Sequence, residues 1–269
     1  MQSHRPVAYT LVSTNHGTLL VNIHDHTMNV GGEQIGVGYQ LLTKSAFDQN
    51  EVSTAINLLK LRRKHYGDGL VVIDCGANIG VHTVEWAKAM HGWGEVISIE
   101  AQERIFYALA GNITINNCFN ARAIWSAVGK HDGYIAVPKP DYFKPSSFGS
   151  LEIRKTESTE YIGQDIDYSV GKTQLTPMIA IDGLKLDRVD FIKIDIEGME
   201  IEALEGAELI ISEYKPQMMI ERIKTNESLI RDFVTSRGYK IFEFGLNILA
   251  IHESDPSLNY INQPNEVTK

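Results

Sequence analysis

Residues 71–83 read VVIDCGANIGVHT. Three β-branched residues, Val71 to Ile73, lead to the acid Asp74; a turn carrying Gly76, Asn78 and Gly80 follows, and a helix-like run starts at Val81. The apolar run predicts a buried strand. Gly76 and Gly80 tolerate backbone angles closed to most residues, and Asn78 is among the few side chains that accept the left-handed region. A strand that ends in so bare and bent a loop lets ligand atoms approach the backbone, while the next helix offers free N–H groups to an anion. In an open α/β sheet such a turn lies beyond the carboxyl ends of the strands, where ligands bind.

The same alternation runs outward along the chain. Strand-like 70–74 is followed by helix-like 81–90, strand 95–100, helix 104–116 and strand 121–128. Strand 189–196, helix 199–211, strand 217–221, helix 227–238 and strands 239–244 and 247–252 complete it. Strands that are apolar almost throughout, separated by helices, predict a mostly parallel sheet covered on both faces. The last two, joined by a short turn at Gly245, predict an antiparallel hairpin at one edge. The expected fold is therefore α/β, Rossmann-like and doubly wound, with a mostly parallel seven-stranded sheet.

Ahead of this sheet, residues 7–12 and 18–25 read as two strands around the break Thr14-Asn15-His16-Gly17. Residues 50–66 read as a helix with Val52, Ile56, Leu59 and the stem of Arg63 on one face, and Arg62, Arg63 and Lys64 clustered near its negative C-terminal end. The chain thus divides into an N-terminal hairpin-and-helix extension (1–69), a main domain (70–255) and a C-terminal tail (256–269). A stretch rich in Pro, Ser, Thr, Gly and Tyr, about 138–176, interrupts the rhythm of the main domain. It reads as a lid or substrate loop, or equally as a decorative insertion.

The identity of the ligand is narrowed by what the turn lacks. A dinucleotide fingerprint, G-x-G-x-x-G, has Asn78 in place of its middle glycine here, which weakens a nicotinamide site. A second acid, Glu100, ends the next strand, where a carboxylate can accept hydrogen bonds from two ribose hydroxyls. An adenosine ribose fits this pair of features; a tight βα turn beside a solvated glutamate is the plain structural alternative.

The run Asp74-Cys75-Gly76-Ala77-Asn78-Ile79-Gly80-Val81-His82-Thr83 resembles the signature of the FkbM family of S-adenosylmethionine-dependent methyltransferases. The resemblance continues through Ile99-Glu100 with Phe106, Leu109, Asn112 and Asn116, through Ser126 to Gly129, and through Gly149-Ser150. It ends with Ile181 to Leu184 and the block DFIKIDIEGMEIEALEGA, residues 190–207, and spans roughly residues 70–222. Ala101, where that family commonly has proline, and Ile181, where it has leucine, are departures. The resemblance implies S-adenosylmethionine as cofactor. Gly76, Ala77, Asn78 and Gly80 would face its methionine part, with Thr83 near the carboxylate and Asp74 holding the ammonium directly or through water. Glu100 would grip the ribose, and Ser126 and Ala127 would border the adenine.

Methyl transfer is an in-line displacement, so the protein must supply alignment and, for a hydroxyl acceptor, a proton acceptor. Lys193, Asp195 and Glu197 alternate on one expected strand and so share a side of it. Asp195 is the candidate base or substrate-orienting acid, with Lys193 tuning its charge and Glu197 or Glu200 assisting. The carboxylates could instead hold a divalent cation that lowers the hydroxyl's pKa. A structural Lys193–Asp195 ion pair is the remaining alternative. No residue is assigned as a metal ligand.

The net charge of −9 works against a phosphate backbone as partner, so nucleic acid is disfavoured. Two cysteines form no disulfide framework, no stretch reaches the length of a membrane span, and the first residues lack an apolar leader, so a cytoplasmic location is expected. His24-Asp25-His26 in a strand would put two surface histidines on one face with Asp25 opposite. Cys75 reads as a small packed thiol, and Tyr134, Tyr142, Phe143 and Phe148 as an acceptor pocket or as a closure of the insertion on the core. Three functions follow: O-methylation of a hydroxyl on a small molecule, sugar or glycan; nicotinamide-dependent oxidation on the same architecture; or non-catalytic nucleotide binding. The acceptor and the oligomeric state, including a homo-oligomer, are left open by the sequence.

Overall fold

In the computed structural model, residues 5–29 and 31–261 are described; the first four residues and the end of the expected tail lie outside them. Seven strands form the main sheet: β1 (Leu70–Cys75), β2 (Gly94–Glu100), β3 (Ala121–Trp125), β4 (Phe191–Ile194), β5 (Gln217–Glu221), β6 (Tyr239–Phe244) and β7 (Asn247–His252). Their spatial order is β6-β7-β5-β4-β1-β2-β3. All neighbours pair in parallel except β7, which runs antiparallel to both β5 and β6. The chain order reverses between β1 and β4, so their carboxyl ends diverge into a crevice. This is the expected doubly wound α/β sheet with its antiparallel hairpin.

The period-two alternation of the strands distributes side chains to two cores. Val72, Phe191 and Met219 face one side, where they meet α1 (Val37–Lys44), α2 (Gln49–Tyr66), α3 (Val81–Ala89) and α4 (Glu103–Ile115). Ile73, Ile192 and Ile220 face the other, against α5 (Glu200–Glu205), α6 (Glu208–Tyr214) and α7 (Glu227–Thr235). Trp86 of α3 is fully buried with its ring edge-on to Phe191 at 5.5 Å between centroids. Burial of each such side chain contributes roughly 1.5–3 kcal/mol.

The N-terminal hairpin pairs Tyr9–Thr14 with Gly17–Asn22, and its Leu19 and Val21 enter the same core as Leu109 and Ile113 of α4. Asn112 of α4 fixes it there, accepting from the Leu20 amide at 2.6 Å. The face of α2 differs from expectation by one position: Val52, Ala55, Leu58, Leu59 and Arg62 are buried, whereas Arg63 is outside. Arg62 is therefore no end-of-helix surface charge. Its guanidinium lies between Asp255, at 2.9 Å, and Asp190, at 3.3 Å, and Asp190 also accepts from the Val71 amide.

Three further expectations are corrected. The expected strand 121–128 breaks at Ser126, and Ala127–Val128 leaves the main sheet to pair with Thr173–Ile179. That strand also pairs antiparallel with Gly133–Pro138, so the insertion is closed at its base by a small three-stranded sheet and its last residues are strand. The helix expected over 199–211 is two helices, because Gly206 abuts Gly129: a Cβ there would sit 2.2 Å from the Gly129 carbonyl oxygen. His24-Asp25-His26 lies in a turn beyond the hairpin, and Asp25 is buried. Among the described residues no helix is long and apolar enough to cross a membrane.

Candidate functional site

The turn after β1 is shaped by its own backbone demands. Gly76, Asn78 and Gly80 all have positive φ, at 78°, 49° and 88°. Gly76 is also packed against the loop after β4, since a Cβ on it would stand 1.7 Å from the Asp195 carbonyl oxygen. The Gly76 and Ala77 amides both bond the Ile99 carbonyl at the end of β2, and the Asn78 amide donates to Glu100 at 3.0 Å. These contacts draw the ends of β1, β2 and β4 around one cavity of about 450 Å³.

Gly76, Ala77, Asn78, Glu100, Ser126 and Ala127 line this cavity, as do Lys193, Asp195 and Glu197. Asp74, Gly80 and Thr83 do not. Asp74 and Thr83 are fully buried behind the turn, where the Thr83 hydroxyl donates to Asp74 at 2.7 Å and meets Ser98 at 2.7 Å. Burial raises the Asp74 pKa against the pull of Lys193 and Thr83. Asp74 thus supports the turn from behind the cavity wall, through Thr83 and beside Lys193.

Glu100 holds both backbone turns at its strand end, accepting from Asn78 N and from Gln102 N at 2.7 Å. Burial pushes its pKa up to about 7 in spite of those amides. A carboxylate has about four acceptor sites, so two remain for hydroxyl donors entering the cavity. Ser126 uses its hydroxyl on the Pro177 carbonyl at 2.9 Å and contributes a small wall.

At the other end of the cavity, β4 stops at Ile194, so Asp195 and Glu197 occupy the following loop instead of a continued strand. The Lys193 ammonium is buried and bonds Asp195 at 2.5 Å. Burial alone would lower its pKa, but Asp195, Asp74 and Glu51 outweigh that and hold it above the ordinary value. Glu197, with a positive φ of 56°, turns away toward Glu221 and Lys224. Glu200 is buried and accepts from the Ile196 and Gly198 amides at 3.2 and 3.1 Å. It shapes the loop rather than facing the cavity.

Several lining residues were not singled out from the sequence. Glu221, at the end of β5, and Lys224 complete the acidic end. Lys224 bonds Glu160 of the insertion and lies 3.8 Å from Glu152, clasping that segment to the sheet. Phe47 and Asp48 enter from the N-terminal extension. Glu221 carried a legible signal: QMMIE ends in an acid just as LVVID and EVISIE do. Of the two readings of the aromatic residues, an acceptor pocket or a closure of the insertion on the core, the pocket is not seen. Phe148 is buried against Tyr142 at 4.9 Å, while Tyr134 and Phe143 are exposed, and none of the four lines the cavity. Cys75 is buried among apolar side chains.

A glycine turn, a strand-end carboxylate and an acid–lysine pair, gathered at the switch point of this sheet, define a Rossmann-like α/β protein of the methyltransferase type. The model of the methyltransferase FkbM domain matches residues 74–241, and the chain belongs to that family. It is similar to Methyltransferase 1 of Beauveria bassiana, with 23% identity over 153 residues that cover 52% of this chain and 59% of the relative. It also resembles the crystal structure of methyltransferase FkbM from Methylobacillus flagellatus, with 23% identity and a TM-score of 0.48, covering 69% of this chain and 44% of that one. A third similar structure is magnesium protoporphyrin IX methyltransferase from Synechocystis with bound S-adenosylmethionine, at 12% identity and a TM-score of 0.43, covering 81% and 86% of the two chains. The chain thus spans about half the length of the first two relatives.

Proposed function

We propose that the protein is an S-adenosylmethionine-dependent O-methyltransferase acting on a hydroxyl of a small molecule, sugar or glycan. One observation carries the reading: the glycine turn with Glu100 and the Lys193–Asp195 pair open on the same cavity. The residues present fit such a cofactor. Gly76, Ala77 and Asn78 offer a backbone surface, Glu100 has free acceptor capacity for the ribose, and Ala127 leaves room beside it for a flat base. The cofactor supplies a methyl group already made electrophilic on a sulfonium.

The chain's own contribution is positioning and proton removal. Asp195 lines the cavity, is one-third exposed and bonds Lys193 through Oδ2, so its Oδ1 is the oxygen left for the acceptor hydroxyl. It takes that proton as the oxygen attacks. Lys193 fixes the carboxylate, and the insertion, clasped through Lys224 and Glu160, contributes a wall at this end. A divalent cation among the acids of this end is a second way to activate the same hydroxyl.

Calorimetry with S-adenosylmethionine and with NAD is the first test; binding of NAD alone would discard the reading. With an identified acceptor, Asp195→Asn should lower turnover by about 10²–10⁴-fold, the usual contribution of a general base, while leaving cofactor affinity in place. Full turnover in that variant would remove Asp195 as the proton acceptor.

A further inference from the structure

We propose that Asp195, Glu197 and Glu221 form a binding site for a hard divalent cation. The three come from the loop after β4 and from the end of β5, and one carboxylate oxygen from each lies within 4.8 Å of the others. Oxygens bound to one Ca²⁺ at 2.3–2.6 Å stand at most about 5 Å apart, so small side-chain rotations bring this set around a single ion.

Glu221 supplies the independent observation. It is 8% exposed, lines the cavity, and its Oε2 is buried with no hydrogen-bond partner among the described residues. The Glu197 Oε2 is likewise buried without a hydrogen bond; its nearest cation, Lys224 Nζ, stands 3.9 Å away. An unpaired buried carboxylate is strongly disfavoured unless a cation or a proton meets it. The two lysines nearby are engaged elsewhere, Lys193 with Asp195 and Lys224 with Glu160. Burial, then repulsion among these acids, accordingly raises the pKa of both Glu197 and Glu221. Glu200 is not part of the set, because its Oε1 is taken by two loop amides.

An all-carboxylate set with no His or Cys selects Mg²⁺, Mn²⁺ or Ca²⁺ over softer metals. Three protein oxygens leave about half of a six-fold coordination sphere open to water or to an oxygen of the acceptor. The cation's part in orienting a methyl acceptor rests on the function proposed above; its binding does not.

The test uses Mn²⁺ alone, followed by electron paramagnetic resonance at pH 8 on the full chain, with Mg²⁺ and Ca²⁺ as competitors. One bound Mn²⁺ is expected, weakened about tenfold or more in both Glu221→Gln and Glu197→Gln. Because each variant removes a repelling charge, its melting midpoint without metal should equal or exceed that of the parent. Absence of Mn²⁺ binding at millimolar concentration would overturn the site in favour of a proton shared by Glu197 and Glu221. Binding unchanged in both variants would overturn it as well. Mn²⁺ bound by a protein that ignores S-adenosylmethionine would uphold the site while discarding the methyl-transfer reading.

Discussion

Glu100 shows how one buried side chain can serve fold and ligand together. It ties the turns after β1 and β2 through the Asn78 and Gln102 amides, and burial raises its pKa to about 7. On the proposed function, ribose hydroxyls would donate to the ionised form, so cofactor affinity should be level above about pH 8 and fall by up to tenfold per unit below 7. For the ligand-free protein the sign is opposite. The folded pKa lies above the ordinary 4.5, so this group's contribution to stability is full below 4.5 and lost as pH rises through 7. Titration calorimetry between pH 6 and 8.5 checks the first statement, and a Glu100→Gln variant with an unchanged pH profile would refute it. Gly76 carries a different constraint. Its φ of 78° and the 1.7 Å approach of the Asp195 carbonyl oxygen to any Cβ mean that Gly76→Ala combines backbone strain with a clash against backbone. Strain and overpacking each cost about 1–3 kcal/mol, so a loss of about 2–6 kcal/mol in urea denaturation is expected. These constraints were legible beforehand, because a demand for positive φ is met by Gly and Asn in the sequence itself.

The strands of the main sheet were legible for a similar reason: stretches of four to seven residues, rich in Val, Ile and other apolar side chains, stand between turn and helix signals. The phase of α2 was not. Arg62 and Arg63 are adjacent cations, and only the position of Asp190 and Asp255, far along the chain, decides which one turns inward. Likewise the break at Ser126 and the split between α5 and α6 depend on neighbours that no local pattern names. Arg62 joins α2 to the start of β4 through Asp190 and to the C-terminal segment through Asp255, with 4% of its side chain exposed. Removing one member of a buried ionic group strands the others, which costs about 3–5 kcal/mol. Arg62→Met should therefore lower stability by about that amount, with most of the loss from Asp255, since Asp190 keeps Arg188 at 2.7 Å. Adding Asp255→Asn to Arg62→Met should recover part of it; a double variant less stable than the single would contradict this account.

The cavity is assembled from three stretches of chain that the sequence presents separately, the N-terminal extension, the sheet and the insertion, and Asp25 is where they are joined. It is 3% exposed in the turn beyond the hairpin; its Oδ2 accepts from the Gly38 amide at 2.9 Å and its Oδ1 from the Phe148 amide at 3.1 Å. The Phe148 carbonyl in turn accepts from the Gln102 side chain at 2.8 Å, two residues beyond Glu100. One buried carboxylate thus links the extension to the insertion and, at one remove, to the strand end that faces the cavity. From the sequence alone it stood in a strand, on the face opposite two surface histidines, and its partners Gly38 and Phe148 lie too far along the chain to be read from that pattern. Asp25→Ala leaves two buried amides without acceptors, each costing about 1–3 kcal/mol, so a loss of about 2–6 kcal/mol in global stability is expected. Burial raises its folded pKa to about 6 from the ordinary 3.8, so its contribution to stability is full below pH 3.8 and disappears as pH rises through 6; the variant should lack this slope. Asp25 does not line the cavity, yet cofactor affinity should fall in the variant, because Phe148 and Gln102 lose their anchor. Hydrogen exchange distinguishes this linkage from general loosening. Amides of 146–150 and of the turn at 100–103 should exchange faster together, while those of β5 and β7 keep their protection, and uniform loss of protection across the sheet would show that Asp25 supports stability alone and not the joining of the three stretches.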